Sequence, residues 1–333
     1  MSALRIVVMG SGGVGGYFGA RLARAGGAVT FVARGAHLDA IRRSGLRIRS
    51  AIEGEYAVKA EAVERLDGRP VADVALLCVK SFDTESALAA LQPVVGPGTA
   101  VLSLQNGVDN VEKIDARLGP GHGLGGAAYV FAAIEAPGVI AHRFAGRIVF
   151  GELDGRLTPR CERLREALAQ AGIPVELSTE IRRVLWEKYL FICAQAAVTA
   201  LTRCPTGVVR AIPETWRLYR TVLEELAAVA AAAGVKLPAD TVESLMKAAA
   251  ALAPDTTSSL AHDLSQGRRL ELEGLHGHAV RLAERLGVPA PTVLAVYAAL
   301  KPHAEGSAQP QGAGGLGPAR PRRADEASAV PTC

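Results

Sequence analysis

Three glycines at positions 10, 12 and 15 follow directly on the apolar run Leu4-Arg5-Ile6-Val7-Val8-Met9, with the spacing Gly-x-Gly-x-x-Gly. After a buried strand each glycine meets a separate demand. Gly10 permits the tight turn, Gly12 lets backbone approach a diphosphate, and Gly15 lets the next helix pack closely on the strand. The free N–H groups and positive dipole end of that helix favour an anion. The whole turn, Gly10, Ser11, Gly12, Gly13, Val14 and Gly15, is therefore a candidate cofactor-binding element. A helix-compatible stretch over 17–25, a stop at Gly26-Gly27 and a second apolar run over 28–33 supply the strand–helix–strand context of a dinucleotide site. Arg34 follows that second run, where an NAD site usually carries an acidic residue for the adenosine ribose. A guanidinium pairs with the 2′-phosphate that a carboxylate would repel, so NADP is the expected cofactor.

Two more polar residues stand at strand ends. Lys80 closes the apolar run 71–79, and Asn106, in Gln105-Asn106-Gly107, follows a strand expected over 99–102. Ligands of α/β sheets bind outside the carboxyl ends of strands, so both face the crevice. Lys80 can neutralise a cofactor phosphate, and Asn106 offers donor and acceptor to ribose, nicotinamide or substrate. Later come Trp186-Glu187-Lys188, Ser258-Ser259 with Asp263, and Glu271 behind Arg268-Arg269. A lysine in an apolar cleft has a lowered pKa and can both stabilise and protonate an oxyanion. Plainer readings stay open: a snorkelling Lys80, an Asn-Gly turn at 106–107, an exposed helix lysine at 188, and ion pairs for Glu271.

These residues need a scaffold. Up to about 177, strands at 46–48, 56–58, 71–79, 99–102, 124–131, 139–142, 147–151 and 175–177 alternate with helices over 84–91 and 162–171. Such alternation predicts a Rossmann-type, doubly wound parallel sheet. From 180 onward only helices are legible, over 181–201, 213–233, 239–251, 269–286 and 291–301. The expected organisation is a nucleotide-binding domain over 1–178, an all-α domain over 179–302 and a disordered tail over 303–333, which is poor in large apolar residues.

The composition narrows the function classes. With 333 residues, 49% hydrophobic and 21% charged, the chain can build two cores. A net charge of +4 with scattered arginines gives no nucleic-acid footprint. The first strand starts too early for a signal peptide, and no apolar stretch is expected to reach the ~20 residues of a membrane span. Five cysteines without a C-x-x-C pair suggest reduced thiols in a cytoplasmic protein. His276 and His278, two apart on a helix, point to different faces, and no metal is expected.

In this order the segments resemble the ketopantoate reductase (2-dehydropantoate 2-reductase) family: Gly-Ser-Gly-Gly-Val-Gly, Val79-Lys80, Gln105-Asn106-Gly107, Trp186-Glu187-Lys188, Cys204-Pro205 with Gly207, and Ser258-Ser259-x-x-x-Asp263 with Glu271. The resemblance implies an enzyme of pantothenate-biosynthesis type that reduces a 2-keto acid with NADPH. It makes Lys188 the general acid, Ser259 a substrate contact and Glu271 a residue of the cofactor side of the cleft. It sets Asn106 against nicotinamide ribose and substrate, and Ala133 near the nicotinamide. It also implies a homodimer paired through the helical domain. Ketopantoate-specific members carry three asparagines where this chain has Ile192, Ala196 and Thr206. These three are the expected substrate wall, apolar along the helix, with Gln195 able to restore one polar contact. That wall suits a bulkier substituent, as in D-2-hydroxy-acid (mandelate-type) dehydrogenases. A reading from another class is a non-catalytic NADP(H)-binding sensor, against which the retention of Lys188, Asn106, Ser259 and Glu271 argues.

Overall fold

The computed structural model describes residues 4–306. Its first part runs β1 (Arg5–Met9), α1 (Gly13–Arg24), β2 (Ala28–Val32), α2 (Gly35–Ser44), β3 (Leu46–Ser50), β4 (Gly54–Val58), β5 (Glu61–Val63), β6 (Val74–Leu77), α3 (Thr84–Leu91), β7 (Ala100–Ser103), α4 (Asn110–Leu118), β8 (Gly123–Ala136), β9 (Val139–Gly151), α5 (Pro159–Gln170) and β10 (Val175–Leu177). Helices follow: α6 (Ile181–Thr202), α7 (Thr206–Ala211), α8 (Pro213–Ala232), α9 (Thr241–Ala250), α10 (Ser259–Ser265), α11 (His278–Leu286) and α12 (Pro291–Leu300).

The strands lie in the order β4-β3-β9-β8-β7-β6-β1-β2-β5, with β10 beside β9. From β8 to β5 every pair is parallel, which is the Rossmann-like half. Alternate residues of β1 enter different cores. Ile6 and Val8 join the layer of α1, whereas Val7 and Met9 join Leu88 and Leu91 of α3 and Ile114 of α4. Two covered faces explain why these strands read as continuous apolar runs. A separate helical core gathers around α6, α8 and α12.

Several expectations change. The sheet is mixed, because β9 returns antiparallel to β8 and β4 antiparallel to β3. Only Pro137 and Gly138 separate β8 from β9, and so short a connection forces an antiparallel return. The two short strands expected over 139–142 and 147–151 are one strand, bent where Ala145 and Gly146 take positive φ of 59° and 129°. The helix expected over 269–286 begins as a π-type turn, Glu273–Gly277, and becomes α-helical only at His278. Residues 303–306, expected to belong to a disordered tail, pack on the helical region. Ala304 is buried, its carbonyl accepts the Leu270 N–H, and Glu305 pairs with Arg269. The rest of the expected tail, with Cys333, lies outside the described residues. Finally, α6 has 22 residues and is apolar enough to cross a membrane, but 67% of its apolar window is buried inside the protein, as the central helix of the helical core.

Candidate active site

The glycine turn is built by steric exclusion. Gly10 has φ +98°, and a Cβ there would lie 2.8 Å from the Val79 nitrogen. At Gly15 a Cβ would lie 2.1 Å from the Gly10 carbonyl oxygen. Gly13 meets a demand that spacing does not reveal: its Cβ would fall 2.0 Å from the Ala132 carbonyl oxygen and 2.9 Å from the Ala133 Cα, so β8 crosses directly over the turn. Gly12 is different, since a Cβ there would meet no atom within 4 Å. It is also the N-cap of α1, and no side chain caps the N–H groups of the first turn. Open space in front of uncapped helix N–H groups fits a diphosphate. The Ser11 hydroxyl donates to the Val32 carbonyl at 2.9 Å, so this side chain ties the turn to β2. Val14 is partly buried against the sheet core.

Arg34 is exposed at the N-cap of α2 and enters none of the ion pairs among the described residues, which leaves its guanidinium free for a phosphate. The Lys80 Nζ donates to Asp263 Oδ2 and Glu271 Oε2, both at 3.0 Å. Burial disfavours its charge, but the two carboxylates outweigh that and raise its pKa. Arg268 also approaches Asp263, at 3.8 Å, so the cluster sets two cations against two carboxylates. Lys80 thus ties the strand end to the helical region. Glu271 completes it by accepting the Ser81 N–H at 2.9 Å.

Gln105 is committed, donating to the Val79 carbonyl at 3.0 Å and to Thr84 Oγ1 at 2.8 Å. That anchor, with Gly107 at φ +121°, holds Asn106 in the crevice. The Asn106 side chain makes none of the hydrogen bonds among the described residues and is free to meet a ligand.

Lys188 projects from α6 half-buried, with Nζ 5.8 Å from the Tyr129 ring centroid. Burial lowers its pKa to about 8, against an opposing pull from Glu271. It enters none of the ion pairs among the described residues. An ammonium held near its titration point can donate a proton at neutral pH.

Residues 6–155 match the family model for ketopantoate reductase PanE/ApbA, and residues 180–304 match the model for its C-terminal part. The chain belongs to the ketopantoate reductase family. It is 31% identical over 321 residues to the 2-dehydropantoate 2-reductase of Mesorhizobium japonicum, covering 90% of this chain and 97% of that protein. A crystal structure of a PanE/ApbA family ketopantoate reductase from Ralstonia eutropha JMP134 superposes with a TM-score of 0.82 at 36% identity, covering 90% of this chain and 98% of that one. The ternary structure of D-mandelate dehydrogenase with NADH and anilino(oxo)acetate, at TM-score 0.83 and 20% identity over 90% of this chain and 98% of that one, shares the fold. This reductase is an oxidoreductase acting on the CH–OH/C=O pair.

The expected substrate wall is only partly present in this reductase. Ile192, one turn beyond Lys188, is partly buried against the helical core. Ala196 is 2% exposed and Thr206 is fully buried, so neither reaches the cleft. At about 100° per residue Ala196 lies about 80° around α6 from Lys188, whereas Gln195 returns to within about 20°. The Gln195 amide donates to Thr206 Oγ1 at 2.6 Å, and Thr206 donates to the Thr256 carbonyl at 2.8 Å. Thr206 is therefore a support for Gln195. Ser259 is exposed at the first turn of α10, while Ser258 caps that helix through the Ala261 N–H at 3.0 Å and meets Thr199 Oγ1 at 2.8 Å.

Three residues of the site carried no assigned role from sequence. Asp263 lies within the Ser-Ser-x-x-x-Asp pattern, which is its only signal. Tyr129 sits on β8, whose facing is visible only once its neighbours are known. His37 takes the Gly138 N–H at 3.0 Å on Nδ1 and faces the Ser11 carbonyl at 2.9 Å through Nε2, linking the glycine turn to the β8–β9 hairpin. Among the described residues no group of three or more His, Cys, Asp or Glu is arranged to hold a metal.

Proposed function

We propose that this reductase converts a 2-keto acid to the 2-hydroxy acid with NADPH. The observation that carries the reading is Lys188, an ammonium with its pKa lowered to about 8 by burial, in a cleft it shares with Glu271. NADPH, when bound, supplies a hydride for the carbonyl carbon. The carbonyl π pair moves to oxygen, and Lys188 gives that oxygen its proton, leaving a neutral amine that solvent reprotonates. Asn106 positions the reacting end of the keto acid through its free amide, and Ser259 contacts the substrate. Ala133, on the strand crossing Gly13, borders the nicotinamide end of the cofactor site. Arg34 selects NADPH over NADH by pairing with the 2′-phosphate. A homodimer and a cytoplasmic setting belong to the same proposal, with residues 1–178 as nucleotide-binding domain and 179–302 as substrate domain.

2-Dehydropantoate is the reference substrate, and Ile192 favours a second reading in which the substituent is larger and apolar. The test is NADPH oxidation over a panel of 2-keto acids. Turnover of any member supports the reductase, and tight NADPH binding with no turnover would replace it by the sensor. Arg34→Ala should raise the NADPH Kd by about 10- to 100-fold, the loss of a charge-assisted contact of ~1.5–3 kcal/mol, and leave NADH binding unchanged. An equal loss for both cofactors would make Arg34 structural.

A further inference from the structure

The β8–β9 hairpin carries an unexplained aromatic face. Alternate residues of β8 point toward α6. A Cβ on Gly125 would lie 3.1 Å from Ile181 and Leu185, Ala127 packs with the same two residues, and the Tyr129 ring lies 5.8 Å from Lys188 Nζ. The next residue on that face is Phe131, and Ala133 follows at the glycine turn. The intervening Val130 and Ala132 turn the other way and pack on the sheet core. The strand register sets Arg147 opposite Tyr129 and Phe144 opposite Phe131, and paired residues share a face. Arg147 does lie over the Tyr129 ring, at 5.4 Å.

Along this face burial gives way to exposure. Tyr129 is 36% exposed, Phe131 49% and Phe144 71%. On α6, Ile192 stands one turn beyond Lys188, as Phe131 stands one strand repeat beyond Tyr129. An apolar surface thus runs from the proton donor toward the glycine turn, with large rings left to water.

We propose that Tyr129, Phe131 and Phe144 form a shelf that receives the substituent of the 2-keto acid and selects an aromatic or bulky apolar group over a small hydroxylated one. The proposal rests on the reductase reading and names its substrate class. A flat substituent can lie against the Phe131–Phe144 pair while its keto oxygen reaches Lys188, and it removes both rings from water. A small polar substituent gains nothing from the rings.

The test compares phenylpyruvate with 2-dehydropantoate in the unmodified protein and in Phe131→Ser/Phe144→Ser. Both rings are exposed, so the variant should fold, and unchanged NADPH affinity checks this. The expected result is a drop of at least about tenfold in kcat/KM for phenylpyruvate, mainly through KM, with 2-dehydropantoate altered less than about threefold. An equal fall for both, or no change in ranking, overturns the shelf. So does a shift from dimer to monomer with ranking intact, which would assign the face to a second copy of the chain. If the unmodified protein reduces neither acid, the reductase reading is decided by the rest of the keto-acid panel. The shelf is then tested by calorimetric binding of 3-phenyllactate to the NADPH-loaded protein, which must weaken in the double variant.

Discussion

A lysine is a useful proton donor at neutral pH only if something offsets its preference for holding the proton. In Lys188 that factor is burial, which lowers the pKa from 10.5 to about 8. Reduction needs the ammonium, so its kcat should decline as pH rises through about 8, and oxidation of the hydroxy acid, which needs the amine, should rise there. Lys188→Ala should reduce kcat by at least about 10²–10⁴-fold with NADPH affinity unchanged. The same shift has a stability sign. Between about 8 and 10.5 the unfolded chain holds this proton more firmly than the folded one, so stability rises with pH across that window. Lys188→Met should be the more stable protein at pH 7, and its advantage should shrink toward pH 10.5. A denaturation series that shows a constant difference would contradict this account. Lys188 could be singled out in sequence because its type, its helix and its neighbours agreed, and its role as proton donor is the proposal these measurements test. The burial of Ala196 and Thr206 was not legible, since α6 is buried without a break from Cys193 to Ala200 and no polar side marks the cleft.

Among the elements, the glycine turn couples local geometry to tertiary packing. Gly13→Ala and Gly12→Ala are the same change in chemistry, but only the first meets backbone, at 2.0 Å from the Ala132 oxygen. Gly13→Ala should force β8 off the turn and lower stability by about 1–3 kcal/mol. Gly12→Ala should fold normally and lose cofactor affinity, because its methyl enters the space before the uncapped N–H groups. Thermal denaturation and NADPH titration of both variants separate the two roles, and normal NADPH affinity in Gly12→Ala would remove the diphosphate from that space. Elements with a clear period or firm stops, such as β1, α3, β10 and α8, were readable from residue order. The short α7 and α10 complete too few turns to show a period, and α2 has no side-chain cap to mark its start. The antiparallel return of β9 follows from a two-residue connection at Pro137-Gly138, which could be recognised only once both flanking strands had been extended to meet it. The residues of the aromatic face were visible in sequence, but their shared direction was not.

Over the whole molecule, contacts across the sheet and helical regions set the cleft. Lys80 with Asp263 and Glu271 is one tie, Arg182 of α6 with Glu112 of α4 at 3.5 Å is another, and a third joins Asp109, at the start of α4, to His278 of α11 at 3.0 Å. The end of the chain contributes as well. Ending it at Pro302 removes the buried Ala304, its bond to Leu270 and the Arg269–Glu305 pair, whereas ending it at Gly306 keeps all three. The shorter product should be less stable by about 1–2 kcal/mol in urea. Equal midpoints would mean that these contacts contribute nothing. The Asp109 tie has a pH signature. Burial would raise the Asp109 pKa, but His278 and Lys113 outweigh it and hold the carboxyl at about 2, below its ordinary 3.8. A carboxylate depressed in the folded state stabilises fully above its unfolded pKa, and the gain is lost as pH falls through the folded one. Asp109→Asn should therefore cost up to about 2 kcal/mol at pH 7, with the difference from the unmodified protein narrowing below pH 4 and closing near pH 2. Because the pair links the two regions, the same variant should be cut faster by protease around 178–180, where the last strand hands over to α6. A stability loss that stayed constant down to pH 2 would trace to packing around Asp109 and remove the charged tie from the account of how the cleft is held.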